Sequence, residues 1–222
     1  MRLRRSVRRV VFWDYNGILL NDLAYVFTGN EMIFRQFGVE PPPLEVWRDH
    51  NVTTYPQFYW DHGIPRTVSG VDLNFLLLEQ LARLAPPPPF PDAIEVIRMC
   101  AAEGVALVVV SGFPREHIVA TLERLCLLEC FADISGTIAQ KTATLQMYLA
   151  QLGCASHDAL MVGDTVFDAE AAHAAGIASC ICPRSGYHPR ERIEAARARI
   201  PSMAVVEDLY AVVPFIFLGE DP

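Results

Sequence analysis

Four short segments place chemically useful residues where apolar runs stop: Asp14-Tyr15-Asn16-Gly17-Ile18-Leu19, Ser111-Gly112, Lys141, and Gly163-Asp164-Thr165-Val166-Phe167-Asp168. Ser111 and Gly112 precede Pro114, a residue suited to the first turn of a helix. Backbone N–H groups and a hydroxyl at such a point form an anion site. Lys141 opens a helical pattern, where the helix dipole opposes a cation. It is the single lysine among 18 basic residues. A compact ammonium can bridge an anionic ligand and a carboxylate in a way that a wide guanidinium fork does poorly. Asp14, Asp164 and Asp168 would bring three carboxylates together, and their mutual repulsion calls for a hard cation. Mg²⁺ is the natural candidate, since it takes one or two carboxylates plus water and phosphate oxygens. An Asp beside such a cation and facing a phosphoryl group can attack phosphorus to give an aspartyl-phosphate. Each segment alone is weak, because a strand ending in Asp or a GDxxxD turn is commonplace. Their joint order carries the reading.

Elements must hold these segments at one place. Residues 7–13 read as a strand that stops at Asp14, and residues 105–110 as a fully buried strand that stops at Ser111. Helical patterns cover 91–103, 114–128, 141–152 and 167–175, with further strands at 159–162 and 177–182. Gly104, Gly153 and Gly176 close three of the helices. Strands alternating with helices predict crossover units and a parallel sheet, an α/β Rossmann-like core. Residues 23–85 differ, with helical periodicity, no strands and ten of the 22 aromatics. Pro86 to Pro89 then forms a stiff connector. The expected organisation is a core of residues 1–22 and 86–222 with a small helical insert, 23–85, placed after the first strand and over the strand ends where ligands bind in open sheets.

In order and spacing these segments resemble the four motifs of the haloacid dehalogenase superfamily, in its phosphatase branch with a helical cap like that of phosphoglycolate phosphatases. The resemblance spans residues 8 to about 185. It implies Asp14 as nucleophile, with the backbone carbonyl of Asn16 as a Mg²⁺ ligand. It also implies that Ser111, with Gly112, holds the transferring phosphoryl group and that Lys141 stabilises that group together with Asp14. Asp164 ligates Mg²⁺ with Asp168 supporting it. The implied activity is Mg²⁺-dependent hydrolysis of a small phosphorylated metabolite through an aspartyl-phosphate.

Two departures bear on turnover. The family pattern Asp-x-Asp-Gly-Thr reads here Asp14-Tyr15-Asn16-Gly17-Ile18. The second Asp is the family's general acid and base, and Asn16 can be neither. General acid–base help is typically worth about 10² to 10⁴ in rate, so a slow enzyme is expected unless another group substitutes. A catalytically impaired protein that binds a phosphorylated ligand is the alternative. Asp22, His50 and His62 are spare groups, read more simply as a helix N-cap and as members of the surface pairs Asp49-His50 and Asp61-His62. The insert holds no lysine, which disfavours Schiff-base phosphonatase chemistry, and the retained acidic motif disfavours a metal-free dehalogenase. A sugar-phosphate mutase would need the missing acid/base Asp. Tyr55, Phe58, Tyr59 and Trp60 could enclose a substrate but more simply form the insert's own core. Arg35, Arg48 and Arg66 could read a second anionic group, though such arginines are mostly solvated.

Composition excludes other classes. The 222 residues are 52% hydrophobic and 20% charged, enough apolar material for a packed core. Five of the arginines fall in the first nine residues, leaving 13 basic against 26 acidic side chains from residue 10 onward. That balance repels phosphate backbones and argues against nucleic acid as a partner. The longest apolar run, Ala211 to Leu218, is eight residues and contains Pro214, too short to cross a bilayer. No signal-peptide core follows the basic start, so a cytoplasmic protein is expected, with its oligomeric state open. Cys100, Cys126, Cys130, Cys154, Cys180 and Cys182 form no CxxC pair and read as buried free thiols.

Overall fold

Val10–Trp13, Ala106–Val110 and Ala159–Gly163 are apolar runs with no polar face, as strands covered on both sides require. In the computed structural model, which describes residues 8–50, 55–138 and 140–218, they form the centre of a six-stranded parallel sheet. The arginine-rich residues 2–5 lie outside the described residues. The chain divides into two compact units, Met1–Asn21 with Pro89–Pro222, and Asp22–Pro88.

In the first unit, β1 (Val10–Trp13) is followed, after the second unit, by α5 (Pro91–Ala102), β2 (Ala106–Val110), α6 (Arg115–Arg124), β3 (Asp133–Ser135), α7 (Lys141–Gln151), β4 (Ala159–Gly163), α8 (Val166–Ala174), β5 (Ala178–Ile181), α9 (Arg190–Arg197), β6 (Met203–Val205) and α10 (Val213–Phe217). The sheet order is β3-β2-β1-β4-β5-β6. Trp13 pairs with Val109 on one side and Val162 on the other, so β2 and β4 each run one residue past the end of β1, to Val110 and Gly163. Phe12, Val108, Val110, Met161, Leu145 and Ala172 build the core on one face, each at most 1% exposed. Burial of each large aliphatic among them contributes about 2 kcal/mol.

The second unit holds α1 (Leu23–Gln36), α2 (Leu44–His50), α3 (Tyr55–Asp61) and α4 (Gly70–Leu81). A capping box starts α4: Asp72 N–H donates to Ser69 Oγ at 3.1 Å, and Ser69 N–H to Asp72 Oδ2 at 3.0 Å. Tyr59 stacks on Phe34 with ring centroids 5.3 Å apart, Phe58 meets Phe34 edge-on, and the Tyr59 hydroxyl donates to Asn30 Oδ1. These aromatics are the interior of the helical unit.

Two strands escaped the sequence pattern, β3 and β6. Each has three residues and lies at a sheet edge, too short to show alternation and typical of how edges are kept brief. The helix expected over 114–128 stops at Arg124, because Cys126 takes a positive φ of 54°. Cys100, Cys180 and Cys182 are buried as expected, but Cys126 is exposed and Cys130 and Cys154 are half-buried. No described helix is long and apolar enough to cross a membrane. The run 211–218 instead tucks Val212 and Ile216 into the core, and Ile216 C=O accepts the Arg8 N–H at 2.8 Å.

Candidate active site

Ser111, Asp14 and Asp164 directly follow β2, β1 and β4, so all three stand at one end of neighbouring strands, with Asp14 one residue short of the other two in the register. Neighbouring strands lie about 4.8 Å apart, so groups one residue beyond each strand come within reach of a single ligand. Asp14 N–H donates to Val162 C=O at 2.9 Å and extends the ladder by one bond. Asp14 is 9% exposed, Ser111 2% and Asp164 1%.

Lys141 arrives by a different route. After β3 the chain turns back, with Thr137 N–H on Phe113 C=O at 2.8 Å and Ile138 N–H on Ser111 C=O at 3.3 Å, and then starts α7 at Lys141. The ammonium donates to Asp14 Oδ1 at 3.0 Å and to Asp168 Oδ1 at 2.5 Å. Two carboxylates thus offset both the helix dipole and the loss of water. Burial opposes the charged form of Lys141, but Asp14 and Asp168 outweigh it and hold its pKa above the ordinary range.

Asp168 is fully buried and uses both oxygens. Its Oδ1 takes Lys141, while Oδ2 accepts the Thr165 N–H at 3.0 Å and hydroxyl at 2.6 Å in the capping box of α8. Burial pushes its carboxyl up, yet the lysine and these hydrogen bonds prevail and hold it below the ordinary carboxylate range. Asp14 has fewer such bonds. Burial pushes it up to about 6 despite Lys141, with Asp168 adding to the rise. Asp168 is therefore the standing counter-ion of Lys141, and Asp14 is the carboxylate that a bound cation would free.

One ligand oxygen from each of Asp14, Asp164 and Asp168 lies within 4.8 Å of the others, the only such cluster of three among the described residues. The donors are hard oxygens, the type that Mg²⁺ and Ca²⁺ take. Glycine makes the packing possible. Gly17 has φ +70°, and a Cβ there would stand 2.1 Å from Asp164 Oδ2; a Cβ on Gly163 would stand 2.3 Å from Asp168 Cγ. Both carboxylates are thus pressed against backbone that has no side chain. Such a donor set fits a divalent cation.

The loop after β1 folds back on itself, with Leu19 N–H on Tyr15 C=O at 3.1 Å and a ladder contact from Asn16 to Leu20. Tyr15 turns away from the acidic cluster, donating to Thr121 Oγ1 at 2.9 Å. Ile18 is fully buried, which suits an apolar side chain where the family pattern has threonine. Ser111 Oγ accepts the Phe113 N–H at 3.3 Å, a turn that leaves Gly112 exposed at the mouth of the loop.

Residues proposed as substitutes for the missing acid are placed as follows. Asp22 is buried at the N-cap position of α1 but makes no side-chain capping bond there. His62 Nδ1 lies 2.7 Å from Phe58 C=O and its ring packs on Phe58 at 4.4 Å. Asp61 pairs with Gln57 at 2.5 Å and with Arg66 at 3.6 Å. The side chains of His50 and Tyr55 lie outside the described residues. Arg35 bonds Glu31 one turn away at 3.2 Å, Arg66 lies over Trp60 at 5.5 Å, and Arg48 is half-buried.

Sequence reasoning missed three groups around the cluster. Ser185 Oγ donates to Asp164 Oδ2 at 2.5 Å. Arg184 pairs with Asp92 at 2.5 Å and donates to Ile18 C=O at 3.0 Å. His188 Nδ1 accepts the first N–H of α8, that of Val166, at 3.1 Å. Their segment, Pro183 to His188, has no periodic pattern to mark it. The Thr165-x-x-Asp168 capping box was visible in principle as a helix-start signature.

The family model for haloacid dehalogenase-like hydrolases matches residues 11–182. A phosphoglycolate phosphatase of Pseudomonas putida is 25% identical over 223 residues, covering 94% of this chain and 80% of that protein. One from Rhodospirillum rubrum is 36% identical over 107 residues, 44% of either chain. Among solved structures, a haloacid dehalogenase-like family hydrolase of Streptococcus pneumoniae superposes with a TM-score of 0.77 at 16% identity, covering 95% of this chain and 99% of that one. A haloacid dehalogenase-like hydrolase from Bacteroides fragilis gives 0.75 at 19% identity, covering 92% and 99%.

Proposed function

Since the chain belongs to the haloacid dehalogenase-like hydrolase family, on its phosphatase side, we propose that it is a Mg²⁺-dependent phosphatase that hydrolyses a small phosphorylated metabolite through an aspartyl-phosphate on Asp14. The observation that carries this reading is Lys141 held between Asp14 and Asp168, with Asp164 in the same cluster. Asp14, Asp164 and the backbone carbonyl of Asn16 would hold the cation, with Asp168 in the same cluster supporting them. When bound, the cation would supply positive charge to the phosphoryl oxygens and favour the ionised form of Asp14.

Lys141, Ser111 and the backbone N–H of Gly112 grip the phosphoryl oxygens on the side away from the leaving group. Asp14 attacks phosphorus in line; the new O–P bond forms as the ester O–P bond breaks, and the leaving alkoxide takes a proton from water. Water then attacks the phosphorus of the acyl phosphate, releasing inorganic phosphate and restoring the Asp14 carboxylate. Asn16 provides neither the proton of the first step nor the base of the second. Substrates whose leaving oxygen needs little protonation are favoured, and breakdown of the aspartyl-phosphate is the slow step.

Hydrolysis of para-nitrophenyl phosphate and of a panel of small phosphate esters tests the reading, with and without Mg²⁺ and with Asp14→Asn as control. Phosphoglycolate heads the panel, because the similar curated proteins are named for it. Metal-dependent turnover that vanishes in Asp14→Asn supports the proposal; no metal-dependent turnover on any ester overturns it.

A further inference from the structure

Around the acidic cluster, one segment with no assigned role touches both the loop after β1 and the carboxylate after β4. It is the turn that follows β5. Ser185 is 8% exposed and donates its hydroxyl to Asp164 Oδ2 at 2.5 Å. A Cβ on Gly17 would meet that same hydroxyl at 2.7 Å, so Ser185, Gly17 and Asp164 are in mutual contact. The adjacent Arg184 is largely withdrawn from water, its side chain 16% exposed, and it reaches two segments, the loop after β1 and the start of α5. One nitrogen pairs with Asp92 at 2.5 Å, another donates to Ile18 C=O at 3.0 Å, and the guanidinium lies 3.7 Å over the Phe90 ring. Asp92 sits in the first turn of α5, where the helix dipole favours an anion, and also accepts the Leu209 N–H at 2.9 Å.

We propose that Ser185 is a positioning residue for Asp164 and that Arg184 anchors it, so that the turn after β5 sets the divalent-cation affinity of the cluster. This rests on the metal-dependent reading above. The physical case is geometric. A carboxylate can turn about its own axis, and the hydrogen bond from Ser185 to Oδ2 restrains that rotation in a residue whose carboxylate shares the cluster with Asp14 and Asp168. Outer partners of this kind commonly change metal affinity about 10- to 100-fold when removed. Arg184 does two things with one fork: it holds the turn that carries Ser185 and, through the Ile18 carbonyl, the loop that carries Asn16 and Gly17. Ile18 has no side-chain hydroxyl with which to tie that loop, and the main-chain bond to Arg184 ties it from outside.

A buried ion pair is weak support for stability, because an apolar pair of similar volume is often as good for the fold. That separates a positioning role from a merely structural one. The test measures Mn²⁺ binding to the metal-free full chain by the paramagnetic resonance signal of free Mn²⁺, alongside thermal unfolding without metal. Four proteins are compared: wild type, Ser185→Ala, the double variant Arg184→Met/Asp92→Leu, and Asp164→Asn. The expected result is a dissociation constant raised about tenfold in Ser185→Ala and in the double variant, with the unfolding temperature of Ser185→Ala close to wild type. The rate lost in Ser185→Ala should return at saturating Mg²⁺, so that the change lies in metal affinity and not in kcat. Binding within twofold of wild type in Ser185→Ala, while Asp164→Asn abolishes it, overturns this proposal and leaves the phosphatase reading standing. A loss of affinity in Ser185→Ala that only tracks a lower unfolding temperature also overturns it, as a structural effect. If wild type binds no Mn²⁺, the metal-dependent reading fails and this one with it.

Discussion

Lys141 Nζ lies 2.5 Å from Asp168 Oδ1, joining the first residue of α7 to the first turn of α8. Because Asp168 is held below the ordinary carboxylate range, the ammonium is never without a partner and stays fixed when Asp14 changes its charge. Lys141→Met leaves two buried carboxylates uncompensated, a loss of about 3 kcal/mol or more at neutral pH. Chemical denaturation measures it. Lys141→Arg should also fail to restore activity, since a planar fork cannot occupy the position of a compact ammonium.

Asp14 predicts the acid side of the pH–rate profile. Its carboxyl is raised to about 6, mainly by burial, and only the ionised form can attack phosphorus. kcat/KM should therefore rise with pH through about 6 at low Mg²⁺. A bound cation favours the carboxylate, so raising Mg²⁺ should move that limb to lower pH. A limb that stays in place at all Mg²⁺ concentrations would contradict the assignment of Asp14.

Asn16 predicts the kinetics of the first turnover. With no base to activate water, wild type should show a burst of released leaving group followed by a slow steady rate. Asn16→Asp together with Ile18→Thr should raise the steady rate by about 10² or more, the lower end of general acid–base help. Rapid-quench measurement of the burst reads both effects.

Gly17 is the tightest point of the cluster. Gly17→Ala would require a side chain at φ +70° and would push a methyl group to 2.1 Å from Asp164 Oδ2. The strain costs about 1–3 kcal/mol, and displacement of the carboxylate should reduce metal-dependent activity more than tenfold. Circular dichroism should show the fold retained.

His117 gives a second pH effect, on stability. Burial, with Arg124 nearby, holds its imidazole below the usual 6.5, and the ring packs on Phe113 at 5.0 Å and Tyr15 at 6.4 Å. The unfolded chain takes up a proton below about 6.5 that the folded chain resists, so this contribution is intact above that pH and lost as pH falls below it. His117→Phe should flatten the acid side of the stability curve, as urea denaturation at several pH values would show.

The apolar runs that stop at Asp14, Ser111 and Asp164 were legible in the chain as buried strands, because a strand covered on both faces must be apolar throughout. The lone lysine at a helix start, and the helical stretch between two halves of an alternating pattern, were legible for the same kind of reason: local chemistry forces them. The clamp of Arg184, Asp92 and the Ile18 carbonyl was not, nor was the bond from Ser185 to Asp164, because its partners lie 21 to 166 positions apart in irregular backbone with no period to mark them. Local sequence determined which residues follow the strands and that a cation should meet carboxylates there. Only the tertiary structure decided how three buried carboxylates divide their work. Asp168 is saturated by Lys141 and Thr165, Asp164 accepts the Ser185 hydroxyl, and the Asp14 carboxyl is pushed up to about 6, because desolvation and hydrogen bonding depend on what the rest of the fold packs against each one.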